Sequence, residues 1–168
     1  MLERRGKHQQ AEAHLAQAIE HLAAGGSRSD LGYIYACRAQ ALAHLGHFDE
    51  ARHAIEMGRV QCIGQLISLI ELAYSRGVTE LLDPGSDEGI AEHWFNVALT
   101  DARSIGLSLI ELRAATSMAS LWKANGKRQK AQDVLRPVVN AFTEGLDSPD
   151  MMEAVALLDS LDVAERKT

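Results

Sequence analysis

The sequence has few of the residues that favour strands or interrupt helices. Aromatic side chains make up only 5% of the 168 residues, and there are three prolines. Ala and Leu, which cost least in a helix, dominate the composition instead. Hydrophobic residues at 46% and charged residues at 24% are ordinary for a globular chain and too apolar for a disordered one. We therefore predict an all-α fold.

The sequence also lacks a positive charge excess and a long apolar run. Its formal net charge is −6, so no basic field attracts the phosphates of a nucleic acid. The longest apolar runs, such as Leu66 to Ile70, fall far short of the roughly 20 residues that span a bilayer. The first residues, Met1 to Arg5, lack the apolar core of a signal peptide. We expect a cytoplasmic protein that binds neither nucleic acid nor membranes.

Metal-ligating residues are sparse and badly spaced. Cys37 and Cys62 are the two cysteines, and no close Cys or His stands beside them at metal-ligand spacing. Because cytosolic disulfides are rare, we expect free thiols. His44 and His47 flank Gly46, with no acidic residue to complete a ligand set, and we interpret them as turn histidines. No metal is predicted.

Catalytic and cofactor motifs are also missing from the sequence. The stretch from Gly126 to Arg128 lacks the first glycine and the Mg²⁺-binding hydroxyl of a phosphate loop, and it is typical of a turn between helices. No nucleophile elbow or triad signature is present. We expect neither a cofactor nor catalytic activity; an enzyme without these motifs is the alternative.

A forty-residue period runs through the chain. An alanine recurs at this interval, with a large apolar residue four positions after it and a small residue five positions before it. The alanines are Ala11, Ala51, Ala91 and Ala131. The large apolar residues are Leu15, Ile55, Phe95 and Leu135, and the preceding small residues are Gly6, Gly46, Ser86 and Gly126. The pentapeptide Ser-Leu-Ile-Glu-Leu occurs at residues 68–72 and again at 108–112.

This pattern has a mechanical interpretation. A glycine permits the tight turn before the second helix of each pair, because it takes positive φ without a Cβ clash. The alanine lets two helices approach, and the large apolar residue fills the space beside it. The Gly-x4-Ala spacing resembles the tetratricopeptide repeat, whose usual period is about 34 residues; HEAT-like repeats have periods of about 40–47. We favour a tetratricopeptide-like right-handed solenoid of antiparallel helix pairs with longer helices.

The predicted organisation is a single helical-repeat array over residues 1–168. Residues 1–24 form a half repeat, residues 31–62, 66–105 and 107–142 form helix pairs, and residues 149–161 form a capping helix. The individual helices are predicted at residues 9–24, 31–45, 48–62, 66–82, 88–105, 107–125, 128–142 and 149–161. Ser27 is predicted to cap the second helix, Ser148 marks the start of the last, and Pro137 should kink or shorten the seventh.

The half repeat at the front has no first helix of its own, so we interpret the chain as part of a longer protein. Its apolar stripe comprises Leu15, Ala18, Ile19 and Leu22. A stripe that lacks half of its cover leaves apolar surface wet. We therefore expect this end either to dock on upstream sequence or to mediate self-association.

The stretch from Ser108 to Asp150 carries a more specific resemblance. It begins Ser-Leu-Ile-Glu-Leu-Arg-Ala-Ala-Thr-Ser-Met-Ala-Ser-Leu-Trp and continues with Gly-Lys at 126, Ala at 131, Leu at 135, Pro-Val at 137, Phe-Thr-Glu-Gly at 142 and Asp-Ser-Pro-Asp at 147. Over residues 88–161 this resembles the C-terminal repeat region of bacterial class III adenylate or guanylate cyclases, or of transcriptional regulators, that carry a signal-transduction ATPase module. The chain departs from that pattern at Val139 to Ala141 and at Leu146.

The resemblance implies a non-catalytic interaction or regulatory scaffold module, with the ATPase and cyclase domains as upstream partners. A free-standing tetratricopeptide adaptor is the alternative. By analogy with tetratricopeptide arrays, the first helix of each pair should line a concave face that binds a protein or peptide. The candidate residues are Tyr33, Ala36 and Gln40 in one unit and Arg113, Thr116, Ser120 and Lys123 in another. The second set should accept an acidic peptide or a carboxylate, although a merely solvated groove is an equal interpretation.

Overall fold

The computed structural model is helical throughout its described residues, which are 2–25, 30–62 and 64–162. These residues form eight α-helices and contain no strand, so the all-α prediction is confirmed. The helices, in chain order, are α1 (Leu2–Ala24), α2 (Leu31–Leu45), α3 (Phe48–Gln61), α4 (Leu66–Leu82), α5 (Glu88–Ile105), α6 (Ser108–Ala124), α7 (Arg128–Asn140) and α8 (Pro149–Asp162).

The helix bounds follow the predicted ones closely, with two informative exceptions. Helix α1 begins at Leu2 rather than at residue 9, so Gly6 lies inside a helix and its predicted turn is wrong. A helix tolerates an interior glycine at a cost of about 1 kcal/mol, and Leu, Glu, Arg, Lys and Gln around this one are good helix formers. Helix α7 continues through Pro137 and ends at Asn140, two residues before its predicted end.

Two of the predicted glycine turns have the expected left-handed backbone. Gly46 has φ 87°, and its N–H donates to the carbonyl of Ala43 while the N–H of His47 donates to that of Leu42. Gly126 has φ 72° and makes the equivalent pair of hydrogen bonds at the end of α6. These bonds satisfy carbonyls at the helix end that have no partner within the helix.

The other predicted boundary signals have different outcomes. Helix α8 begins at Pro149 as expected, and the Ser148 Oγ accepts a hydrogen bond from the N–H of Met151 at 3.3 Å. Ser27, the predicted cap of α2, lies outside the described residues. Asp30 occupies the position before α2, and its side chain makes no capping hydrogen bond there.

The chain divides into two compact units, Met1–Trp94 and Phe95–Thr168, and the boundary falls within α5. In the first unit α2 packs against α1, α3 and α4, and α3 packs against α4. The alanines Ala36, Ala39 and Ala51 are fully buried in its core beside Leu42 and Leu72. These small side chains let the helix backbones approach closely.

In the second unit α6 packs against α7 and α8, and α7 packs against α8. The buried face of α8 consists of Met151, Ala154, Leu158 and Leu161, and Leu157 beside them is half-buried. These residues recur at intervals of three and four positions, as expected for one face of a helix.

The positions of the forty-residue pattern are buried in its second, third and fourth copies. Ala51, Ala91 and Ala131 are each fully buried, and Ile55, Phe95 and Leu135 are buried beside them. In the first copy of the pattern, Ala11 and Leu15 are only half-buried. Phe95 is the core residue that the pattern predicts, whereas Trp94 and Trp122 are half-buried.

Helix α1 packs against α2 and carries the apolar stripe predicted from the sequence. Ile19 is 9% exposed, and Leu15, Ala18 and Leu22 are half-buried. The Glu12 carboxylate on α1 accepts hydrogen bonds from Arg38 Nε at 3.0 Å and Nη2 at 2.9 Å. Of the four stripe residues, Ile19 is thus buried and the other three keep part of their surface exposed. Among the helices that the structure describes, none is both long enough and apolar enough to cross a membrane.

Candidate functional site

A groove lies between α5, α6 and α7 in the second unit and has a volume of about 670 Å³. Its apolar lining consists of Leu99, Met118, Val134, Pro137, Val138 and Ala141. Its polar lining consists of Asn96, Arg103, Glu111, Trp122, Lys130 and Asp133. The volume is in the range of sites that bind small molecules or the side chains of a peptide.

Helical periodicity places these side chains on common faces. On α7 the lining positions are 130, 133, 134, 137, 138 and 141, which recur at intervals of three and four residues. On α5 they are 96, 99 and 103. Leu99, Met118 and Val138 are buried at the base, while Lys130 and Asp133 are exposed at the rim. The result is an apolar floor between charged edges.

An ion pair joins two of the helices that form the groove. Arg103 Nε on α5 donates to Glu111 Oε1 on α6 at 2.8 Å. The Arg103 side chain is more than half exposed, so this pair contributes less than about 1 kcal/mol. The pair balances the two charges, so this position in the groove carries no net charge.

Lys130 and Asp133 form the rim on α7. The Asp133 Oδ1 atom accepts a hydrogen bond from Gln129 Nε2 at 2.9 Å. The Lys130 ammonium lies 5.7 Å from the centre of the Trp122 ring, which is a cation–π distance. Within the described part of the chain, Lys130 has no carboxylate partner at ion-pair distance. The ammonium is therefore available to an incoming anion.

Trp122 forms a wall of the groove and carries a buried donor. Its Nε1 atom is inaccessible to water and makes no hydrogen bond to any described residue. An unsatisfied buried donor costs about 1–3 kcal/mol. The cation–π contact with Lys130 offsets part of this cost, about 0.5–1 kcal/mol at an exposed site. Packing and Lys130, rather than a hydrogen bond, therefore hold the indole.

A second cavity of about 410 Å³ adjoins the first along α7. The two share Glu111, Val138 and Ala141 in their lining. The second cavity continues past Ser108 and Leu109 to the segment of residues 142–145 between α7 and α8. We refer to the two together as the extended groove.

Helix α8 occupies much of the face that the sequence predicts as a binding surface on α6. Arg113 donates to Asp150 of α8 through Nε to Oδ1 and Nη2 to Oδ2, both at 3.0 Å. Lys123 Nζ donates to Ser160 Oγ of α8 at 2.7 Å. A ligand at these two cations has to displace contacts that α8 already makes.

The remaining predicted residues of α6 differ in their accessibility. Thr116 is 7% exposed, and its Oγ1 atom donates to the carbonyl of Leu112 at 2.8 Å. Ser120 is exposed. A buried hydroxyl that donates to a carbonyl of its own helix is not available to a partner.

The predicted residues of α2 lie in the first unit. Tyr33 is 48% exposed, whereas Ala36 is fully buried. Gln40 Nε2 donates to Ser75 Oγ of α4 at 2.9 Å. Of all the predicted binding residues, Tyr33 and Ser120 have exposed side chains; the others are buried or make contacts with neighbouring helices.

The extended groove was not predicted from the sequence. The prediction considered the first helix of each pair, whereas this groove also takes lining residues from the second helices, α5 and α7, and from the segment that follows α7. The signal that identifies it is the recurrence of polar and apolar positions at three and four residues from Lys130 to Ala141. Any amphipathic helix shows the same periodicity, so the pattern alone does not indicate a groove. The groove becomes evident when α5 and α6 are placed beside α7.

A polar cluster in the first unit is the strongest electrostatic feature outside the groove. Glu80 Oε1 accepts from Arg52 Nε at 3.0 Å, Glu80 Oε2 accepts from Arg52 Nη2 at 2.9 Å, and Arg76 Nε also donates to Oε1. Arg52 also donates to Asp83, and Ser86 Oγ donates to Glu80. The hydrogen bonds from Arg52, followed by those from Ser86 and Arg76, lower the pKa of Glu80 to about 2. This cluster joins α3, α4 and the following turn.

The histidines and cysteines have structural surroundings. The His8 and His44 rings stack at 4.5 Å, and His47 Nδ1 lies 3.1 Å from a Glu50 carboxylate oxygen. Cys37 and Cys62 are free thiols. Within residues 2–25, 30–62 and 64–162, no group of three or more His, Cys, Asp or Glu side chains is placed to hold a metal ion.

Comparison with family models, with curated proteins and with solved structures finds no match for this chain.

Proposed function

We propose that the chain is a non-catalytic interaction module, built from tetratricopeptide-like helix pairs, that binds a segment of a protein partner. The observation that carries this proposal is the extended groove of α5, α6 and α7, with its apolar floor and charged rim. Apolar clefts with a few placed polar groups are the usual form of a binding site.

The positions of the helices support the repeat part of the proposal. Helices α3, α5 and α7 begin at Phe48, Glu88 and Arg128, which are forty residues apart. Gly46 and Gly126 adopt the same left-handed turn before two of these helices. A right-handed solenoid with a period of about 40 residues belongs to the proposal, because stacked repeat units bury one another's apolar faces.

The chemistry of the lining favours binding over catalysis. Arg103 and Glu111 neutralise each other, Asp133 accepts a hydrogen bond from Gln129, and Lys130 stands over an indole ring. Such groups orient and retain a ligand by charge and packing. A role as a regulatory scaffold beside ATPase and cyclase domains, in the cytoplasm, rests on the sequence resemblance. A free-standing adaptor is the alternative.

Selection from a displayed library of random peptides tests the proposal on the whole chain. We expect enrichment of related peptides whose binding is lost when Val134→Arg fills the groove with a long charged side chain. The matched control is Val60→Arg, which makes the same substitution at an exposed position of α3 that lines neither cavity. A selection with no enriched family, or one in which both variants bind equally well, contradicts the proposal.

A further inference from the structure

We propose that the extended groove binds an acidic and apolar peptide segment of a partner protein. In this arrangement a side-chain carboxylate of the peptide contacts Lys130, and its apolar side chains lie on the floor along α7. The inference rests on the proposed function and adds the chemical class of the partner segment.

The charges of the groove select an anion at the Lys130 end. Arg103 is paired with Glu111 at 2.8 Å, and Asp133 is hydrogen-bonded by Gln129. Within the described part of the chain, the charged lining residues that neither an ion pair nor a hydrogen bond engages are Lys130 in the first cavity and Glu144 in the second, so Lys130 is the unpaired charge at its own end. A carboxylate supplies the acceptor that this ammonium lacks, and a charge-assisted hydrogen bond is the stronger kind.

The surroundings of Lys130 strengthen this contact. Its ammonium lies over the Trp122 ring, and the indole forms one wall of the groove. Behind it the floor consists of buried apolar side chains, including Leu99 and Met118. A charge pair beside an apolar wall is screened less than one on an open surface. Contact between this floor and apolar side chains of the ligand removes apolar surface from water and so stabilises the complex.

The length of the groove favours a peptide over a compact carboxylate. From Lys130 on α7 to Ala141, the residue that follows the helix, the chain advances eleven residues, which corresponds to about 16 Å at 1.5 Å per residue. An extended peptide rises about 3.3 Å per residue, so about five residues span this distance. Alternate side chains of such a peptide face the same side. The matching ligand carries one acidic residue followed by apolar residues at every second position.

The probe is a synthetic pentapeptide, Glu-Ser-Leu-Ser-Leu, with blocked ends so that glutamate supplies its single carboxylate. Its counterparts are the Gln-Ser-Leu-Ser-Leu peptide and hexanoate, a carboxylate with a short apolar tail. Binding to the whole chain is followed by the indole N–H resonance of Trp122, assigned in a Trp94→Phe background. We expect a saturable shift with the acidic peptide and affinity lower by about two- to fivefold for the glutamine peptide, because an exposed ion pair contributes up to about 1 kcal/mol.

Substitutions at the rim test the role of Lys130. Lys130→Glu should lower the affinity for the acidic peptide by at least about tenfold, while Lys130→Arg should keep that affinity within about threefold of wild type. Lys127→Glu is the matched control, because Lys127 is exposed and does not line the groove. Asp133→Asn removes a like charge near the proposed carboxylate site and should tighten binding. Far-UV circular dichroism of each variant verifies that the helices are intact.

Several outcomes overturn the inference. Equal affinity of the glutamate and glutamine peptides would contradict the proposed carboxylate contact. Equal effects of Lys130→Glu and Lys127→Glu would contradict it as well. Hexanoate that binds as tightly as the peptide identifies a small-molecule site instead. If display-selected peptides bind without shifting the Trp122 resonance, the inference fails and the proposed function stands. Failure of the display selection itself removes the proposed function.

Discussion

Replacement of Glu80 by glutamine tests how the first unit is held together. Glu80 is 4% exposed and accepts hydrogen bonds from Arg52 and Arg76, whose side chains are 26% and 24% exposed. The Glu80→Gln variant keeps the size of the side chain and removes its charge. Two guanidinium groups then face a neutral amide, and the ionic contact between α3 and α4 is lost.

The magnitude follows from the pKa of Glu80. Its pKa falls from 4.5 to about 2 in the folded chain, chiefly because of the hydrogen bonds from Arg52. One pKa unit corresponds to about 1.36 kcal/mol, so ionised Glu80 contributes about 3 kcal/mol to stability at neutral pH. Because both arginines are partly solvated, the expected loss in Glu80→Gln is about 2–3 kcal/mol.

The pH dependence gives this prediction its sign. A carboxyl group whose folded pKa lies below its unfolded pKa stabilises the fold above the unfolded value and loses that contribution as the pH falls. The stability difference between wild type and Glu80→Gln should therefore be nearly complete above about pH 5, less than half as large at pH 3, and about a tenth as large near pH 2.

Urea unfolding between pH 7 and pH 3 measures this difference. A Trp122→Phe background leaves Trp94, which packs against Arg76 in the same unit, as the fluorescent reporter. Glu20→Gln is the control, because Glu20 is an exposed carboxylate of α1, and its change should stay within about 0.5 kcal/mol. A Glu80→Gln effect equal to that of the control, or one independent of pH, refutes the reasoning.

Three further predictions concern packing, protonation and the front helix. Gly58→Ala should lower the free energy of unfolding by about 1–3 kcal/mol, because the added Cβ would lie 2.7 Å from Leu72 Cδ2. Gly6→Ala should raise it by about 0.5–1 kcal/mol, because no atom lies within 4 Å of the added Cβ. Chemical denaturation of both variants measures these changes, and the opposite order of stability contradicts the packing. Burial and the stacked histidine of α1 lower the pKa of His44, so thermal stability should fall as the pH drops below about 6.5, and a His44→Asn variant that keeps the same pH dependence would exclude this cause. Amide hydrogens of residues 9–24 should exchange faster than those of α6 in a monomeric sample; equal protection contradicts the half-repeat interpretation, and sedimentation equilibrium tests self-association at this end.

Local sequence patterns predicted the helices because their causes are local. Helices α4 and α5 have the predicted bounds, residues 66–82 and 88–105. Gly46 and Gly126 have the predicted positive φ, since the chain reverses direction at those points. Gly6 shows the limit of the method, because a matching register does not produce a turn where the flanking residues favour a helix.

The candidate site depends on contacts between residues far apart in the sequence, and this is why it was not predicted. Arg113 bonds to Asp150, 37 positions away, so α8 covers a face that an analogy with other repeats leaves open. The groove requires Arg103 and Trp122 to be placed beside Lys130 on a third helix. No local pattern specifies that placement, since it follows from how α5, α6 and α7 pack.

The most direct test of the proposed interaction site is a two-dimensional ¹H–¹⁵N spectrum of the whole chain, titrated with a display-selected peptide. The account predicts that the amides that shift belong to residues facing the extended groove on α5, α6 and α7, together with the Trp122 indole. Shifts confined to α2 around Tyr33, or to α6 around Ser120 on the face that carries the contacts with α8, would contradict it.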